Sequence, residues 1–219
     1  VGLGPFGQQH LLTLKKLEND GLLKIAGLVV GTVKSKNKWV KEFEFPVHCI
    51  KDYDLSKLNS VDAVDIVTPS NTHFELAKLF LPHVNVFIEK PIAMCTKEAV
   101  HLIQLAHKSN NILMPGHIFR FHPVVKKMKE LVSEMQILPK SISGSFINPI
   151  EKKSQKLDPN LEFLHLVDII DYLFSKSPII VHNNQRELVS NMSLTYNGGF
   201  SANLTMGWKG NHKIRFLIL

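Results

Sequence analysis

The first half of the sequence alternates short apolar runs with amphipathic segments, and this alternation constrains the fold more than any other feature. Apolar, β-branched runs predict buried strands at residues 22–30, 61–67 and 84–88. Helical spacing of apolar residues follows the second and third runs, at residues 74–81 and 97–108. Strands that alternate with helices form parallel sheets with right-handed crossovers. The first half is therefore predicted to adopt an α/β fold built on a doubly wound parallel sheet.

The tripeptide Glu89-Lys90-Pro91 follows directly after the apolar run at residues 84–88. A carboxylate and an ammonium at this point lie at the carboxyl end of a buried strand, where open α/β sheets bind their ligands. Pro91 fixes its own φ and biases Lys90 away from helical geometry, so the ammonium is presented from a stiff backbone. Taken alone, the tripeptide is equally compatible with a surface salt bridge on a turn.

A glycine-rich turn opens the sequence and matches the pattern G-x-G-x-x-G. The predicted phosphate-binding turn comprises Gly2, Gly4, Pro5, Phe6 and Gly7. Its glycines allow a tight turn, close approach of the backbone to a pyrophosphate, and close contact between helix and strand. The helical stretch at residues 8–18 would add N–H groups and partial positive charge at its N-terminus. The motif predicts a dinucleotide site, given a strand before it and a helix after it.

Both ends of the sequence lack expected strands. Only Val1 precedes the glycine turn, whereas a Rossmann unit anchors this turn on a complete strand. The apolar run at residues 213–219 would leave a free sheet edge, which invites aggregation. We therefore expect the natural chain to continue at both ends and to exceed 24.8 kDa.

Cofactor choice is predicted from the residues after the second strand. Dinucleotide sites specific for NAD carry an acidic residue there, which bonds the ribose 2′-hydroxyl. Residues 29–38 contain no carboxylate but offer Thr32, Lys34 and Ser35 among other hydroxyls and lysines. Hydroxyls and positive charge suit a 2′-phosphate, so the pattern favours NADP and leaves NAD open. A solvated basic loop is the alternative for at least one of the lysines.

Composition excludes several other classes. Hydrophobic content of 44% and charged content of 21% are ordinary for a globular protein. The net charge is +7, but the basic residues are scattered, which argues against a nucleic-acid-binding surface. Cys49 and Cys95 show neither metal spacing nor a disulfide framework. No metal is predicted, no apolar run is long enough to span a membrane, and free thiols suggest a cytoplasmic protein.

The second half, residues 118–219, changes to an α+β pattern. Helices are predicted at residues 124–135 and 161–174, and strands at residues 141–150, 187–196, 199–208 and 213–219. Asn197-Gly198 joins two of these strands, and such a pair is a strong hairpin signal. The second half is therefore predicted to form a separate domain with a largely antiparallel, open sheet.

The motifs together resemble one family. Along the chain these are Gly2-x-Gly4-x-x-Gly7, Thr68-Pro69-Ser70-Asn71-Thr72-His73, Glu89-Lys90-Pro91, Arg120-Phe121-His122-Pro123, His165-x-x-Asp168, and Asn197-Gly198 continuing to Trp208. This series resembles the Gfo/Idh/MocA oxidoreductases, named for glucose–fructose oxidoreductase and inositol dehydrogenase. The resemblance covers essentially the whole chain.

The resemblance implies an NAD(P)-dependent dehydrogenase or reductase. Residues 1–117 would form a Rossmann domain for the cofactor, and residues 118–219 a domain for substrate binding and assembly into a dimer or tetramer. Hydride would pass between the nicotinamide and a sugar, cyclitol or sugar derivative. Implied cofactor contacts outside the glycine turn are Thr68, Pro69, Ser70, Asn71, His73, Glu89 and Lys90. Implied substrate contacts are Lys90, His117, Arg120, Glu162, His165 and Asp168.

Catalysis is implied for two of these residues. Lys90 matches the family lysine that stabilises charge on the reacting oxygen, and His165 matches the histidine that acts as acid and base. Many members carry an aspartate four residues before that histidine, where this sequence has Leu161. Glu162 or Asp168, each three residues from His165, could orient the imidazole instead. A purely structural histidine on a buried helix is the alternative.

Two further alternatives stay open at the level of sequence. Arg120 could clamp an anionic substrate, but a role in pinning the interdomain hinge is slightly favoured. The whole protein could also be a non-catalytic regulator that binds a dinucleotide on the same fold. The presence of both Lys90 and His165 favours the enzyme, since fold alone does not decide function.

Overall fold

The computed structural model describes residues 1–136, 138–150 and 158–219, apart from the side chain of Glu162. Glu162, predicted above as a substrate contact, therefore has its side chain outside the described residues. The chain divides into two compact units, Val1–Gly116 and His117–Leu219.

The first unit alternates helices and strands as the apolar pattern predicts. Its elements are α1 (Pro5–Asn19), β1 (Leu28–Val30), α2 (Val33–Trp39), β2 (Val47–Cys49), β3 (Ala63–Ile66), α3 (His73–Phe80), β4 (Asn85–Ile88), α4 (Thr96–Ser109) and β5 (Leu113–Pro115). β1 pairs with β2, and β4 pairs with both β3 and β5, always in parallel. The parallel Rossmann-type fold predicted for this half is confirmed.

The residues before α1 connect the two groups of strands. The Gly2 N–H donates to the Val29 carbonyl at 2.9 Å, and the Val67 N–H donates to the Val1 carbonyl at 2.8 Å. Val1 and Gly2 therefore lie between β1 and β3. The glycine turn that follows is thereby brought to the edge of the sheet where β3 ends.

One prediction for the first unit is wrong in detail, because the strand predicted at residues 22–30 forms β1 only from Leu28. The basic stretch after it, for which a solvated loop was the alternative, is the helix α2. Thr32 begins this helix, because its side chain accepts a hydrogen bond from the Ser35 N–H at 3.1 Å. The sequence did not predict this helix because its lysines interrupt the helical spacing of apolar residues. Trp39 is its one aromatic residue, and the Trp39 ring stacks on that of Phe43.

The core of the first unit lies between its sheet and its helices. Ile66 and Ile88 of neighbouring strands, Phe80 of α3 and Leu102 of α4 are fully buried there. Burial of a large apolar side chain contributes about 1.5–3 kcal/mol. The core thus fixes the strand ends that precede Thr68 and Glu89.

The second unit is an open sheet covered by helices. Its elements are α5 (Pro123–Met135), β6 (Ser141–Asn148), α6 (Pro159–Glu162), α7 (His165–Phe174), β7 (Pro178–Arg186), β8 (Val189–Tyr196), β9 (Phe200–Trp208) and β10 (Ile214–Ile218). The strand order is β10-β6-β9-β8-β7, antiparallel except for the parallel pair of β6 and β9. The largely antiparallel sheet predicted for this half is confirmed.

One predicted helix of the second unit is divided and one strand was missed. The helix predicted at residues 161–174 ends at Glu162 and restarts at His165. Phe163 lies at the break, 3% exposed, with its ring 4.9 Å from that of Trp208. β7 was not predicted because it is a sheet edge exposed on both faces, so its residues do not alternate in polarity.

Candidate functional site

The glycine turn has no room for side chains at two positions. Gly2 has a φ of +92°, and a Cβ there would lie 2.5 Å from the Val67 carbonyl oxygen. A Cβ on Gly7 would lie 2.4 Å from the Gly2 carbonyl oxygen. Both distances are below any normal contact, so only glycine permits this turn. These two positions are thus fixed by packing of the turn against itself and against the end of β3.

The first turn of α1 offers donors and no negative charge. Gly4 is the N-cap and Pro5 the first helical residue, with no acidic residue in the first turn. The N–H groups of Phe6 and Gly7 precede the first residue that can bond within an α-helix. Phe6 is 54% exposed. The helix start therefore suits an anionic group such as a pyrophosphate.

The loop after β3 is stabilised by a buried histidine. His73 is 1% exposed, and its ring nitrogens lie 2.8 Å from the Thr68 carbonyl oxygen and 2.7 Å from the Pro91 carbonyl oxygen. Thr72 also donates its hydroxyl proton towards the Thr68 hydroxyl at 2.7 Å. Pro69, Ser70 and Asn71 lie in the short 3-10 turn region between these contacts. His73 thereby joins the Thr68 loop to the segment after Lys90.

Glu89 and Lys90 lie directly after β4, as the sequence predicts. Glu89 is 8% exposed, and its Oε2 accepts a hydrogen bond from the Lys90 backbone N–H at 3.2 Å. The other oxygen, Oε1, is 3.4 Å from His10 Nε2, and His10 Nδ1 is 3.0 Å from Asp65 Oδ2. The buried carboxylate of Glu89 thus lies beside Lys90 and is contacted by His10 of α1.

The residues after β1 combine hydroxyls with basic side chains. The Thr32 hydroxyl donates to the Ser35 hydroxyl at 2.9 Å, so these two predicted cofactor contacts lie together at the start of α2. Lys34 is exposed, whereas Lys38 Nζ lies 4.2 Å from the centre of the Trp39 ring. Lys34 is therefore better placed than Lys38 to contribute charge to a bound anion.

In the second unit an ion pair joins Arg120 to Asp168. Arg120 Nη2 donates to Asp168 Oδ1 at 2.6 Å, and Arg120 Nε donates to the two carboxylate oxygens at 2.9 and 3.2 Å. His117 Nδ1 lies 3.4 Å from Asp168 Oδ1. The Asp168 side chain is 5% exposed. Arg120 is thus paired with a carboxylate of its own unit.

His165 is the first residue of α7 and is half-buried. Its ring meets that of Phe119 edge-on, with ring centres 5.0 Å apart. The described contacts of Asp168 go to Arg120 and His117, and Leu161 lies in α6. A carboxylate that orients His165 therefore stays a prediction.

Asp171, one helical turn after Asp168, was not singled out from the sequence. Burial, and to a lesser extent the charge of Asp168, raise the pKa of Asp171 to about 6. Burial and the charge of Asp171 also raise the pKa of Tyr196. Among the described residues neither Asp171 Oδ1 nor the Tyr196 hydroxyl has a hydrogen-bond partner. Both groups thus place a buried polar atom beside the apolar core of the second unit.

His10 and Asp65 were also missed by sequence reasoning. A signal for each was present: His10 follows Gly7 by three residues on the same helix, and Asp65 is a charge inside an apolar strand. Within the described part of the chain, no group of three or more His, Cys, Asp or Glu side chains could hold a metal ion. No helix of that part has the length and apolar character needed to cross a membrane.

Comparison with known proteins relates the chain to sugar and cyclitol dehydrogenases. It is 30% identical over 155 residues to UDP-N-acetylglucosamine 3-dehydrogenase from Acidithiobacillus ferrooxidans, covering 67% of this chain and 49% of that protein. It is 30% identical over 136 residues to myo-inositol 2-dehydrogenase from Thermotoga maritima, covering 60% of this chain and 39% of that protein. The matches thus span half or less of these relatives.

Solved structures extend the likeness to the second unit. The crystal structure of the Acidithiobacillus ferrooxidans enzyme superposes with a TM-score of 0.83 and 25% identity, over 99% of this chain and 70% of that one. The model of the oxidoreductase family with an NAD-binding Rossmann fold matches residues 1–117, more than half of the chain. The glycine turn and the residues that follow β4 lie within this match. The chain belongs to the Gfo/Idh/MocA oxidoreductase family.

Proposed function

We propose that the protein is an NAD(P)-dependent oxidoreductase that transfers hydride between the nicotinamide and a hydroxyl or carbonyl of a sugar, cyclitol or sugar derivative. The observation that carries this proposal is Lys90, which directly follows the buried Glu89 at the carboxyl end of β4. Open parallel sheets bind their ligands at this end. The names of the relatives, a nucleotide-sugar dehydrogenase and an inositol dehydrogenase, support the substrate class.

The residues of the first unit fit a dinucleotide. A Cβ at Gly2 or Gly7 would clash with the backbone of the turn and of the segment after β3, so only glycine permits this close packing, and the start of α1 is free of negative charge. Phe6, Gly7 and the turn before them would hold the pyrophosphate, and the Thr68–His73 loop with Glu89 and Lys90 would hold the nicotinamide half. When bound, the nicotinamide supplies hydride chemistry. The chain itself must bind, orient and move one proton.

Two side chains are proposed for the chemistry. Lys90 stabilises negative charge that develops on the reacting oxygen, a role that suits an ammonium presented from a rigid strand end. His165 accepts the hydroxyl proton in oxidation and returns it in reduction, since an imidazole titrates near neutral pH. Three other predicted substrate contacts lie together: Arg120 pairs with Asp168, and His117 lies beside the same carboxylate.

NADP is the proposed cofactor in preference to NAD. β1 is followed by Gly31 and Thr32, and no carboxylate occurs between Val30 and Lys38. Exposed Lys34 and the paired hydroxyls of Thr32 and Ser35 would provide charge and donors for a 2′-phosphate.

Assembly is proposed through the sheet of the second unit. The sheet face away from α7 carries exposed serine, asparagine and threonine side chains that bond across strands, such as Ser193 to Asn203 and Thr205 to Asn191. These side chains line a shallow cavity of about 460 Å³. A dimer or tetramer would cover this face, and sedimentation measurements on the full-length protein test it. Free Cys49 and Cys95 are compatible with a cytoplasmic location.

The function is tested by binding and then by turnover. Fluorescence titration of the full-length protein with NADPH and NADH establishes cofactor binding, and a screen over sugars, cyclitols and nucleotide sugars establishes the reaction. His165→Asn should reduce turnover and remove one limb of the pH–rate profile, while a substitution of exposed His83 should change neither. Tight cofactor binding without turnover of any substrate would instead support a regulatory protein on this fold.

A further inference from the structure

His10 lies on α1, three residues after the last glycine of the turn, and contacts two carboxylates at once. Its Nδ1 is 3.0 Å from Asp65 Oδ2 and its Nε2 is 3.4 Å from Glu89 Oε1. The contact with Asp65 is a hydrogen bond, whereas the contact with Glu89 is a longer ion pair, and Oε1 of Glu89 has no hydrogen-bond partner among the described residues. Two carboxylates around one ring favour its doubly protonated form, and in that form His10 links α1 to β3 and to the residue after β4.

The carboxylate of Glu89 is held on both of its oxygens. Oε1 faces His10, while Oε2 accepts the backbone N–H of Lys90 at 3.2 Å. Gly116, after β5, leaves the space that the carboxylate occupies, because a Cβ there would lie 2.8 Å from Oε1. The contacts form one continuous path from the His10 ring to the backbone of Lys90.

We propose that His10 is a positioning residue for Lys90: it fixes the Glu89 carboxylate, which in turn fixes the backbone from which the lysine is presented. The role given to Lys90 rests on the proposed function. The path also begins on the helix whose first turn would bind the pyrophosphate. His10 therefore connects the helix that would bind the pyrophosphate to the Lys90 ammonium that would stabilise the reacting oxygen.

The surroundings of His10 favour its charged form. Hydrogen bonding to Asp65 and then to Glu89 raises the pKa of His10 to about 9. The rings of Phe6 and Phe87 flank the imidazole, with ring centres 4.9 and 6.1 Å away, and add no charge. The backbone nitrogen of Val1 donates to the Asp65 carbonyl oxygen. The imidazolium thus persists through the neutral range and loses its proton only as the pH rises through about 9.

The inference is tested on the full-length protein by the reactivity of Lys90. Competitive acylation at pH 7, where His10 is charged, followed by mass spectrometry gives the reactivity of Lys90 with no need for substrate. His10→Gln leaves the charge of Glu89 uncompensated beside Lys90, which favours the protonated lysine, so the reactivity of Lys90 should fall about threefold or more. Asp65→Asn leaves the contact between His10 and Glu89 in place and should change this reactivity less.

Turnover and cofactor affinity provide the second readout. His10→Gln should lower kcat about tenfold or more while the Kd of the reduced cofactor stays within about twofold, because misplacement of a catalytic group acts on the reaction step. His83→Gln, on an exposed turn, is the matched control and should change neither value.

The outcomes separate the inference from the function on which it rests. If His10→Gln leaves the acylation of Lys90 at pH 7 and kcat as in the His83→Gln control, the inference is wrong. If cofactor affinity falls in proportion to kcat with no change in the acylation of Lys90, His10 only supports α1 and the inference is also wrong. If the acylation of Lys90 falls in His10→Gln but no polyol is turned over, the proposed function fails while the positioning of Lys90 by His10 stands.

Discussion

The two units hold their polar groups in different ways. In the first unit the candidate residues follow strand ends, and backbone geometry places them, as at Gly2 and Lys90. In the second unit a side-chain ion pair joins Arg120 and Asp168, which are 48 residues apart, next to an apolar core. Substitutions at these strand ends should therefore change function before stability. Substitutions in the Arg120–Asp168 ion pair should change stability first.

The largest expected effect tests the functional side of this contrast. Lys90→Met should lower turnover about a thousandfold, because the charge on the reacting oxygen loses its stabilising ammonium. The Kd of the reduced cofactor should stay within about twofold, since the lysine acts mainly in the transition state. Steady-state kinetics and fluorescence titration measure both, with Lys97→Met on exposed α4 as the control. Full activity of Lys90→Met would refute the mechanism.

The next effect tests the structural side. Arg120→Met leaves the Asp168 carboxylate buried without its guanidinium, which should lower the free energy of unfolding by about 3 kcal/mol. A second substitution, Asp168→Asn, should recover most of the loss. Urea unfolding measures these changes, and Arg186→Met on the exposed edge strand β7 is the control. An Arg120→Met protein as stable as the control would remove the contrast between the units.

A smaller effect is expected on the cofactor preference of the first unit. Lys34→Glu should weaken NADPH binding about tenfold, because it reverses a charge near the expected 2′-phosphate. NADH binding should change little. Lys41→Glu, also exposed but outside α2, is the matched control in titrations of both cofactors. Equal affinity for the two cofactors in the unsubstituted protein would contradict the preference for NADP.

The smallest expected effect concerns a buried acid of the second unit. Because burial raises the pKa of Asp171 to about 6, the folded state holds this proton more tightly than the unfolded state. The stabilisation from the proton is complete below about pH 4 and is lost as the pH rises through about 6. Asp171→Asn should therefore raise the free energy of unfolding at pH 7 by about 1 kcal/mol, reduced from the full shift by partial exposure. Thermal unfolding between pH 4 and 8 tests this, and an unchanged pH dependence would contradict it.

Features encoded in one short stretch of sequence could be predicted, whereas contacts between distant residues could not. The fold class, the glycine turn and the Glu89-Lys90 pair could be derived because each is encoded in a short, continuous stretch. The bridge from His10 to Asp65 could not, since it joins residues 55 positions apart through side chains. The position of β7 was missed because an exposed edge lacks alternating polarity.

The strand order of the second unit also has a consequence for how the chain folds. β7, β8 and β9 form a meander of neighbours, so their pairing requires only short loops. β6 must wait for β9, whose paired residues lie 60 positions later, as Ser141 pairs with Ser201. Local pairings close sooner than distant ones, so the meander should gain protection from hydrogen exchange before β6 and β10 do. The edge strand β10 and its neighbour β6 would then be the last part of the sheet to form and the first to open.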